Sequence, residues 1–600
     1  MRRAGLPLAL ACAFPFSPAF GQATATLAET VVTATRAAMR ADELVSDVTV
    51  IGRGAIEAST ARTLPELLAR TPGVQVSANG GRGKLSAVFV RGAEARHTLL
   101  LVDGVRVGSA TAGTPIWENI PLEMIERIEV LKGPASALYG SDAAGGVIQV
   151  FTKKGRTGFH PRAALVAGSH GHAAASAGAS GGGGGWTYAF GVQHLQEQGF
   201  NATQPYVPFG QYNPDRDGFR QHAVDGSMRY EFNRDWSADA GVLYSGGLTH
   251  FDDSPGRDSR STLRTLAAHA GVKGRVTPGW QTQLAASQGS DTNNNIEAAF
   301  PGAFRTRETQ WQWQNDVQTP LGVALAGVEQ RVQKVESDTA FTVTRRTIDS
   351  AFAGLNGSAG RHSWQANVRS DRNSQFGHAD TWFAGYGLRL AEHWRASVSR
   401  GTSFVAPSFN QLYYPGFSNP ALQPERGRNT DFGLTFASGV HEARLVRFDN
   451  RLRGFITSTT IPANIPRARI DGWTLSYGAR LDAVNLNASI DAMDPRNEVT
   501  GAQLPRRAKQ QATMGADWKR GPWTFAGSLL HVGRRFDDTA NTTPMGAFTT
   551  ADVSATWAFA RDLSLQLKVN NLADKRYETA YGYNQPGREL YVTLRWAPPK

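Results

Sequence analysis

From about residue 158 to the end of the chain, apolar and polar residues alternate one for one. Trp394, Ala396 and Val398 alternate with Arg395, Ser397 and Ser399. Val553, Ala555, Trp557 and Phe559 alternate with Ser554 and Thr556. Leu563, Leu565, Leu567 and Val569 alternate with Ser564, Gln566, Lys568 and Asn570, and Leu590, Val592, Leu594 and Trp596 with Tyr591, Thr593 and Arg595. A period of two puts each class on its own face of a β-strand. A soluble antiparallel sandwich alternates as well, but three features favour a membrane wall. The alternation is sustained over the whole region. Trp186, Trp236, Trp280, Trp523 and Trp596 stand at expected strand ends, as interface aromatics do. Short turns (Asn233-Arg234-Asp235, Thr277-Pro278-Gly279, Arg520-Gly521-Pro522) take turns with longer polar segments. One face for lipid and one for a watery lumen predicts an antiparallel transmembrane β-barrel over 156–600. At roughly 20 residues per strand with its share of loop, about 22 strands are expected, the size class of plugged outer-membrane barrels.

The segment 43–155 follows a different pattern. Thr63-Leu64-Pro65-Glu66-Leu67-Leu68 reads as a short helix with a threonine cap and a proline in its first turn. Thr71-Pro72-Gly73-Val74 is a turn into a strand. Val88 to Gly92, Thr98 to Asp103, Ile125 to Leu131 and Val147 to Phe151 read as short buried strands. Mixed short helices and strands of this extent predict an α/β domain of the size that occludes a barrel.

Composition sharpens the compartment. The chain has 600 residues and a mean hydropathy of −0.34, with no run of 18 apolar residues, which excludes helical membrane spans but not strands. The net charge is +12, from 63 basic and 51 acidic residues. The basic residues are dispersed, without a block of five, so no nucleic-acid partner is expected. Arg2 and Arg3, an apolar stretch from Leu6 to Phe16 and the small-x-small site Ala19-Phe20-Gly21 predict a signal peptide over 1–21. The single cysteine, Cys12, lies inside it, leaving the mature chain without disulfides or thiolate metal sites.

Seven residues after the predicted cleavage, Glu29-Thr30-Val31-Val32-Thr33-Ala34 forms a short β-prone piece within the terminal segment 22–42. Such a piece suits strand addition to a partner's sheet edge. It resembles a TonB box, by which TonB-dependent outer-membrane receptors engage the energy-transducing protein TonB. The plug-like region agrees at Asn79-Gly80-Gly81, Val88-Phe89-Val90-Arg91-Gly92, Leu101-Val102-Asp103-Gly104-Val105, Ile125-Glu126-Arg127-Ile128-Glu129-Val130 and the long run from Lys132-Gly133-Pro134 to Gly145-Gly146-Val147-Ile148. Phe404-Val405-Ala406-Pro407, Asn419-Pro420-Ala421-Leu422 and Val569-Asn570-Asn571-Leu572 resemble boxes of the family's barrel. The resemblance spans the mature chain. It implies a plugged barrel in the outer membrane of a Gram-negative bacterium, embedded in lipid, with TonB as partner. A transcription-controlling variant of the family carries a further periplasmic domain before the box, and seven residues leave no room for one.

Within the family the chain is most similar to vitamin B12 (cobalamin) receptors. The matching pieces are 79–86, Ser141-Asp142-Ala143, Asn373 to Gly377, Leu504 to Gln511, Tyr577 to Tyr583 and Gly587-Arg588-Glu589. In those receptors the two plug apices face the substrate, which implies Asn79, Lys84, Leu85, Ser86 and Gly113 as contacts. Lys84 and Gly113 stand where the family has other polar side chains. Asp215-Arg216-Asp217-Gly218 and Phe251-Asp252-Asp253 with Asp258 place carboxylates on neighbouring loops, a donor type that suits Ca²⁺. Cobalamin receptors use calcium to order these loops, which implies Asn201, Asp215, Asp217, Asp252 and Asp258 as ligands. Asn201 replaces an aspartate and Phe251 a tyrosine, so weaker calcium binding is expected. The rival cargo is a ferric siderophore, for which Tyr413, Tyr414 and Phe417 at the mouth would serve. Haem is disfavoured, because Ser408 to Ser418 contains no histidine. There is no nucleophile–base pair or phosphate loop, and Gly80, Gly81 and Gly83 lack a dinucleotide-binding context, so no enzymatic activity is expected.

Overall fold

The computed structural model describes residues 30–457 and 461–598. The predicted signal peptide and Glu29 lie outside these residues. Twenty-two antiparallel strands close into a barrel, beginning with Gly158–Gly168 and ending with Glu589–Trp596, which pairs back onto the first strand. Every other connection joins neighbours, so the wall is an up-and-down meander without a free edge. Along Glu589–Trp596 the register is direct: Glu589, Tyr591 and Thr593 are buried toward the lumen, while Leu590, Val592, Leu594 and Trp596 are exposed on the lipid side. Phe559 lies beyond its strand, which ends at Trp557.

The five tryptophans all sit at one end of the barrel, the end with the short turns. Each leaves its ring on the outer face. Trp523 stacks on Trp557 with ring centroids 5.5 Å apart. The opposite end carries the longer connections, among them 198–218, 406–424 and 571–588.

Inside the barrel sits a five-stranded sheet in the order Asp47–Gly52, Ile125–Lys132, Gly146–Thr152, Thr98–Val102 and Val105–Arg106, with a separate hairpin of Val74–Ala78 and Ser86–Val90. Thr63 caps the helix Leu64–Leu68 by accepting from the Glu66 amide, which satisfies one of the donors a helix start leaves free. Ile128, Val130, Ile148, Val150 and Leu100 form the sheet's core with Leu64, Leu68 and Trp117.

Charged groups fasten this domain to the wall. Arg91 pairs with Asp47 of its own domain at 2.7 Å and with Asp431 of the wall at 2.6 Å. Arg96 and His97 both meet Glu425, and Arg507 reaches Glu94 at 2.6 Å. Arg127 and Glu129, 2.8 Å apart, pair within the plug instead. A buried charge without a partner is costly, so these pairs set where the plug can sit.

Candidate binding face and coupling segment

The hairpin Val74–Ala78/Ser86–Val90 lifts the apex 79–86 toward the long-loop end. The Asn79 amide donates to the Leu85 carbonyl at 3.0 Å and closes the apex. Gly83 has φ +77°, and a Cβ there would stand 2.2 Å from the Phe219 ring; the wall approaches so closely that only glycine fits. Leu85 is 60% exposed at the tip, and Asn79 and Gly113 are half-buried. Ser86 is buried, its hydroxyl donating to the Lys84 carbonyl.

Lys84 departs from its expected role. Its ammonium is buried and donates to Arg82 O (3.2 Å), Asp217 O (3.1 Å) and Thr249 Oγ1 (3.1 Å). All three N–H groups are committed to protein oxygens. Burial lowers its pKa to about 8, against the pull of Asp217 and Glu197. Lys84 thus ties the plug apex to the loop above it.

That loop carries part of the acidic constellation. Carboxylate oxygens of Asp215, Asp217 and Asp252 lie within 4.8 Å of one another. Asp217 and Asp252 are buried and Asp215 is exposed. The Ala202 amide donates to Asp217 (2.8 Å), and the Thr203 hydroxyl donates to Asp252. Burial raises Asp217 to about 6 and Asp252 to about 7, and Asp215 adds like-charge repulsion to both. No lysine or arginine among the described residues forms an ion pair with the three.

One expected ligand, Asp258, stands outside this group. Asp258 is engaged by nearer partners instead: His250 Nδ1 at 2.7 Å and Arg260 Nη2 at 2.5 Å. The Asn201 side-chain oxygen accepts from the Thr203 amide at 2.9 Å, a local turn that aspartate or asparagine makes with its own backbone. Thr203 in turn donates to Asp252, so Asn201 adjoins the carboxylates through it.

The connection 571–588 binds both sides of this face. Asn584 donates from its amide to Ala202 O (2.8 Å) and from Nδ2 to Asn201 O and Thr203 O (3.0 Å each). Thr579 exchanges hydrogen bonds with Ala78 at 2.9 and 3.0 Å, and its carbonyl accepts from Ser77. Sequence pattern alone does not reveal this clasp, since its partners lie some hundreds of residues apart. Of the mouth aromatics, Phe417 is exposed, while the Tyr413 hydroxyl accepts from Gln375 at 2.9 Å.

At the short-turn end the segment 30–36 is folded into the lumen. Thr30–Val31 pairs with Met39–Arg40. Val31, Thr33 and Ala34 are fully buried. One oxygen of Glu129 accepts from Val32 N (3.1 Å), Thr33 N (2.9 Å) and Thr33 Oγ1 (2.6 Å). Tyr139 donates to Thr33 O at 3.0 Å, and Gln365 of the wall to Ala34 O at 2.7 Å. Arg36 then meets Glu329 of the wall at 3.2 Å, between the rings of Tyr139 and Phe352. In sequence, Glu129 is one charge within the largely apolar stretch Ile125 to Leu131. Its partners are 96 and 97 positions away.

Residues 40–147 match the TonB-dependent receptor plug domain, and residues 166–572 match the TonB-dependent receptor-like β-barrel. The chain belongs to the TonB-dependent receptor family. The receptor is 30% identical to the vitamin B12 transporter BtuB of Photobacterium profundum over 595 residues, covering 94% of this chain and 95% of that protein. It is 29% identical to the vitamin B12 transporter BtuB of Vibrio vulnificus, covering 99% and 100%. The siderophore receptor PirA of Acinetobacter baumannii has the same fold, with a TM-score of 0.80 at 18% identity, covering 92% of this chain and 98% of that one. The receptor is an outer-membrane transporter that works with TonB, not an enzyme. Short periplasmic turns are the rule in such barrels, so the tryptophan end faces the periplasm and the acidic face points outward.

Proposed function

We propose that this receptor imports a corrinoid, vitamin B12 or a close relative, and that Ca²⁺ orders its outer loops. The observation that carries the corrinoid reading is the similarity of about 30% to curated vitamin B12 transporters along nearly the whole chain. The likeness to a siderophore receptor at 18% identity concerns the fold alone. Asn79, Leu85, Ser86 and Gly113 form the plug side of the binding face, with Lys84 positioning the apex beneath the outer loop.

The residues present fit a calcium ion. Asp215, Asp217 and Asp252 offer convergent hard oxygens, the donor type calcium takes, and two of them hold protons more tightly than usual. Bound Ca²⁺ would supply the positive charge that lets the three ionise side by side. The chain's own part is to hold Asp217 through the Ala202 amide and Asp252 through Thr203.

Binding outside shifts the population in which the box leaves its seat in the periplasm. TonB then adds Glu29–Ala34 to its own sheet and remodels the plug, drawing on the proton-motive force. Equilibrium binding of cyanocobalamin to the purified receptor, with and without calcium, tests the reading. Submicromolar binding strengthened by calcium is expected; affinity weaker than about micromolar moves the cargo to a ferric chelate. Calorimetry that detects no calcium binding at roughly millimolar concentration removes the ion.

A further inference from the structure

The plug is not held evenly by the wall. On one side the anchors are dense: Arg91 to Asp431, Arg96 and His97 to Glu425, Glu94 to Arg507, Arg62 to Glu589 at 2.7 Å, and Lys568 to Ser59 O at 2.6 Å. Against the strands between Phe219–Glu231 and Gly302–Thr319 the lower half of the plug stands off instead, leaving a cavity of about 510 Å³. Val32 and Arg36, in and just after the box, form part of its boundary.

The far wall of this cavity carries a row of carboxamides. Along Gly302–Thr319, Gln310, Gln312 and Gln314 face inward, while Trp311 and Trp313 face lipid. Gln310 donates to Gln312 (3.4 Å), Gln312 to Gln314 (3.2 Å), and Gln314 to Asp316 (2.9 Å). Gln314 also donates to the Arg36 carbonyl at 3.2 Å. Withdrawing the box therefore removes one boundary of the cavity and frees the lower end of the row in the same movement.

Above lies a smaller cavity of about 60 Å³, beneath the second plug apex at Ser109, Ala110 and Gly113. Arg106 borders both cavities. Its carbonyl meets the wall at Gly289, where a Cβ would stand 2.0 Å away. Its guanidinium donates from Nη1 to Ser141 O at 3.3 Å, with Asp142 and Glu308 farther off at 3.8 and 3.9 Å and Nη2 without a hydrogen-bond partner. The point of closest approach is thus the Arg106 backbone carbonyl against a glycine of the wall.

We propose that cargo crosses the barrel along this wall: past the second apex, through the Arg106–Gly289 constriction, and down the glutamine row to the periplasm. A row of amides both donates and accepts, so a neutral solute bearing amides or hydroxyls exchanges hydrogen bonds with little net change at each step. A charged wall would hold an oppositely charged cargo more tightly. The inference rests on the corrinoid reading for the cargo, and the route itself is tested separately.

In a Cys12→Ser background, Gln312→Cys and Ser176→Cys place one thiol in the 510 Å³ cavity and one in a 150 Å³ cavity beside the strand His172–Gly183. Each is modified with a methyl or a bulky thiol reagent. Expected for Gln312→Cys is normal cyanocobalamin binding in all forms, normal uptake with the methyl adduct, and uptake with the bulky adduct reduced to that of a chain lacking 29–34. The bulky adduct at Ser176→Cys should leave uptake intact. Normal uptake by the bulky Gln312→Cys adduct, or an equal block at both positions, overturns the route. If cyanocobalamin does not bind the unmodified receptor, the corrinoid reading fails, and the route is judged by labelling rates in energised cells. Faster labelling of Gln312→Cys with the box intact than with Val32→Pro, without such a difference at Ser176→Cys, upholds it; equal rates at Gln312→Cys overturn it.

Discussion

At the outer face, Asp215, Asp217 and Asp252 crowd together, and no basic side chain among the described residues pairs with them. At the periplasmic end, Glu129 collects three hydrogen bonds from the box, and Arg36 is matched to Glu329. The first arrangement has charge left over and responds to whatever brings a compensating charge. The second has opposite charges already paired and changes only when its bonds are broken. A receptor that senses outside and is pulled from inside needs both: a face that gains order from a ligand, and a seat that holds until force or a population shift releases it.

The most drastic way to break this contrast is Val32→Pro. It removes the amide that donates to Glu129 and spoils strand addition. Uptake should fall to background while equilibrium binding of cyanocobalamin is unchanged; equal loss of both would mean that the segment serves the fold rather than coupling.

Glu129→Gln probes the seat itself. Hydrogen bonds to a charged group contribute about 1.5–3 kcal/mol each, and about 1.4 kcal/mol is tenfold in population. Hydrogen exchange at Val32 and Thr33 should accelerate by about tenfold or more. Unchanged exchange would place the restraint elsewhere, with Tyr139 and Gln365 the next candidates.

At the outer face, Asp217→Asn with Asp252→Asn should weaken calcium binding by roughly tenfold or more, since affinity follows ligand charge; calorimetry reads this directly. A pH series sharpens the same point. Asp252 near 7 and Asp217 near 6 must lose their protons to bind a cation, so calcium affinity should fall as pH drops from 7.5 to 5.5. Without calcium the sign reverses for loop order. Carboxylates with raised pKa favour the ordered, protonated loop at low pH, and that contribution is lost as pH rises through about 6 to 7. Protease resistance of 198–218 should then decline over the same range. The smallest effect belongs to Asp258→Asn. Its carboxylate belongs to an exposed pair with Arg260 and His250, and exposed pairs contribute little, so calcium affinity should change by less than about twofold.

Much of the architecture was legible in residue order. The alternation in Leu590 to Trp596 survives residue for residue as lipid face and lumen face, because a strand's two sides are set by period alone. The box and the two Asp-x-Asp-like loops were legible as local pieces. The tie made by Lys84 was not legible: nothing near it in sequence announces the Asp217 carbonyl that accepts from its ammonium. The pairing of Asp258 was hidden for a related reason, since an acidic pattern does not say that Arg260 will bond it.

By itself, then, the sequence determined the closed wall and the plug within it, both of which follow from short-range periodicity and local motifs. Only the tertiary structure decided which carboxylates converge, which oxygen holds the box, and that the glutamine row of Gly302–Thr319 faces a cavity bounded by the box. The reason is physical. Burial of a strand face is a property of neighbouring residues, whereas pairing of a buried charge depends on what the closed barrel brings to it from a hundred or more positions away.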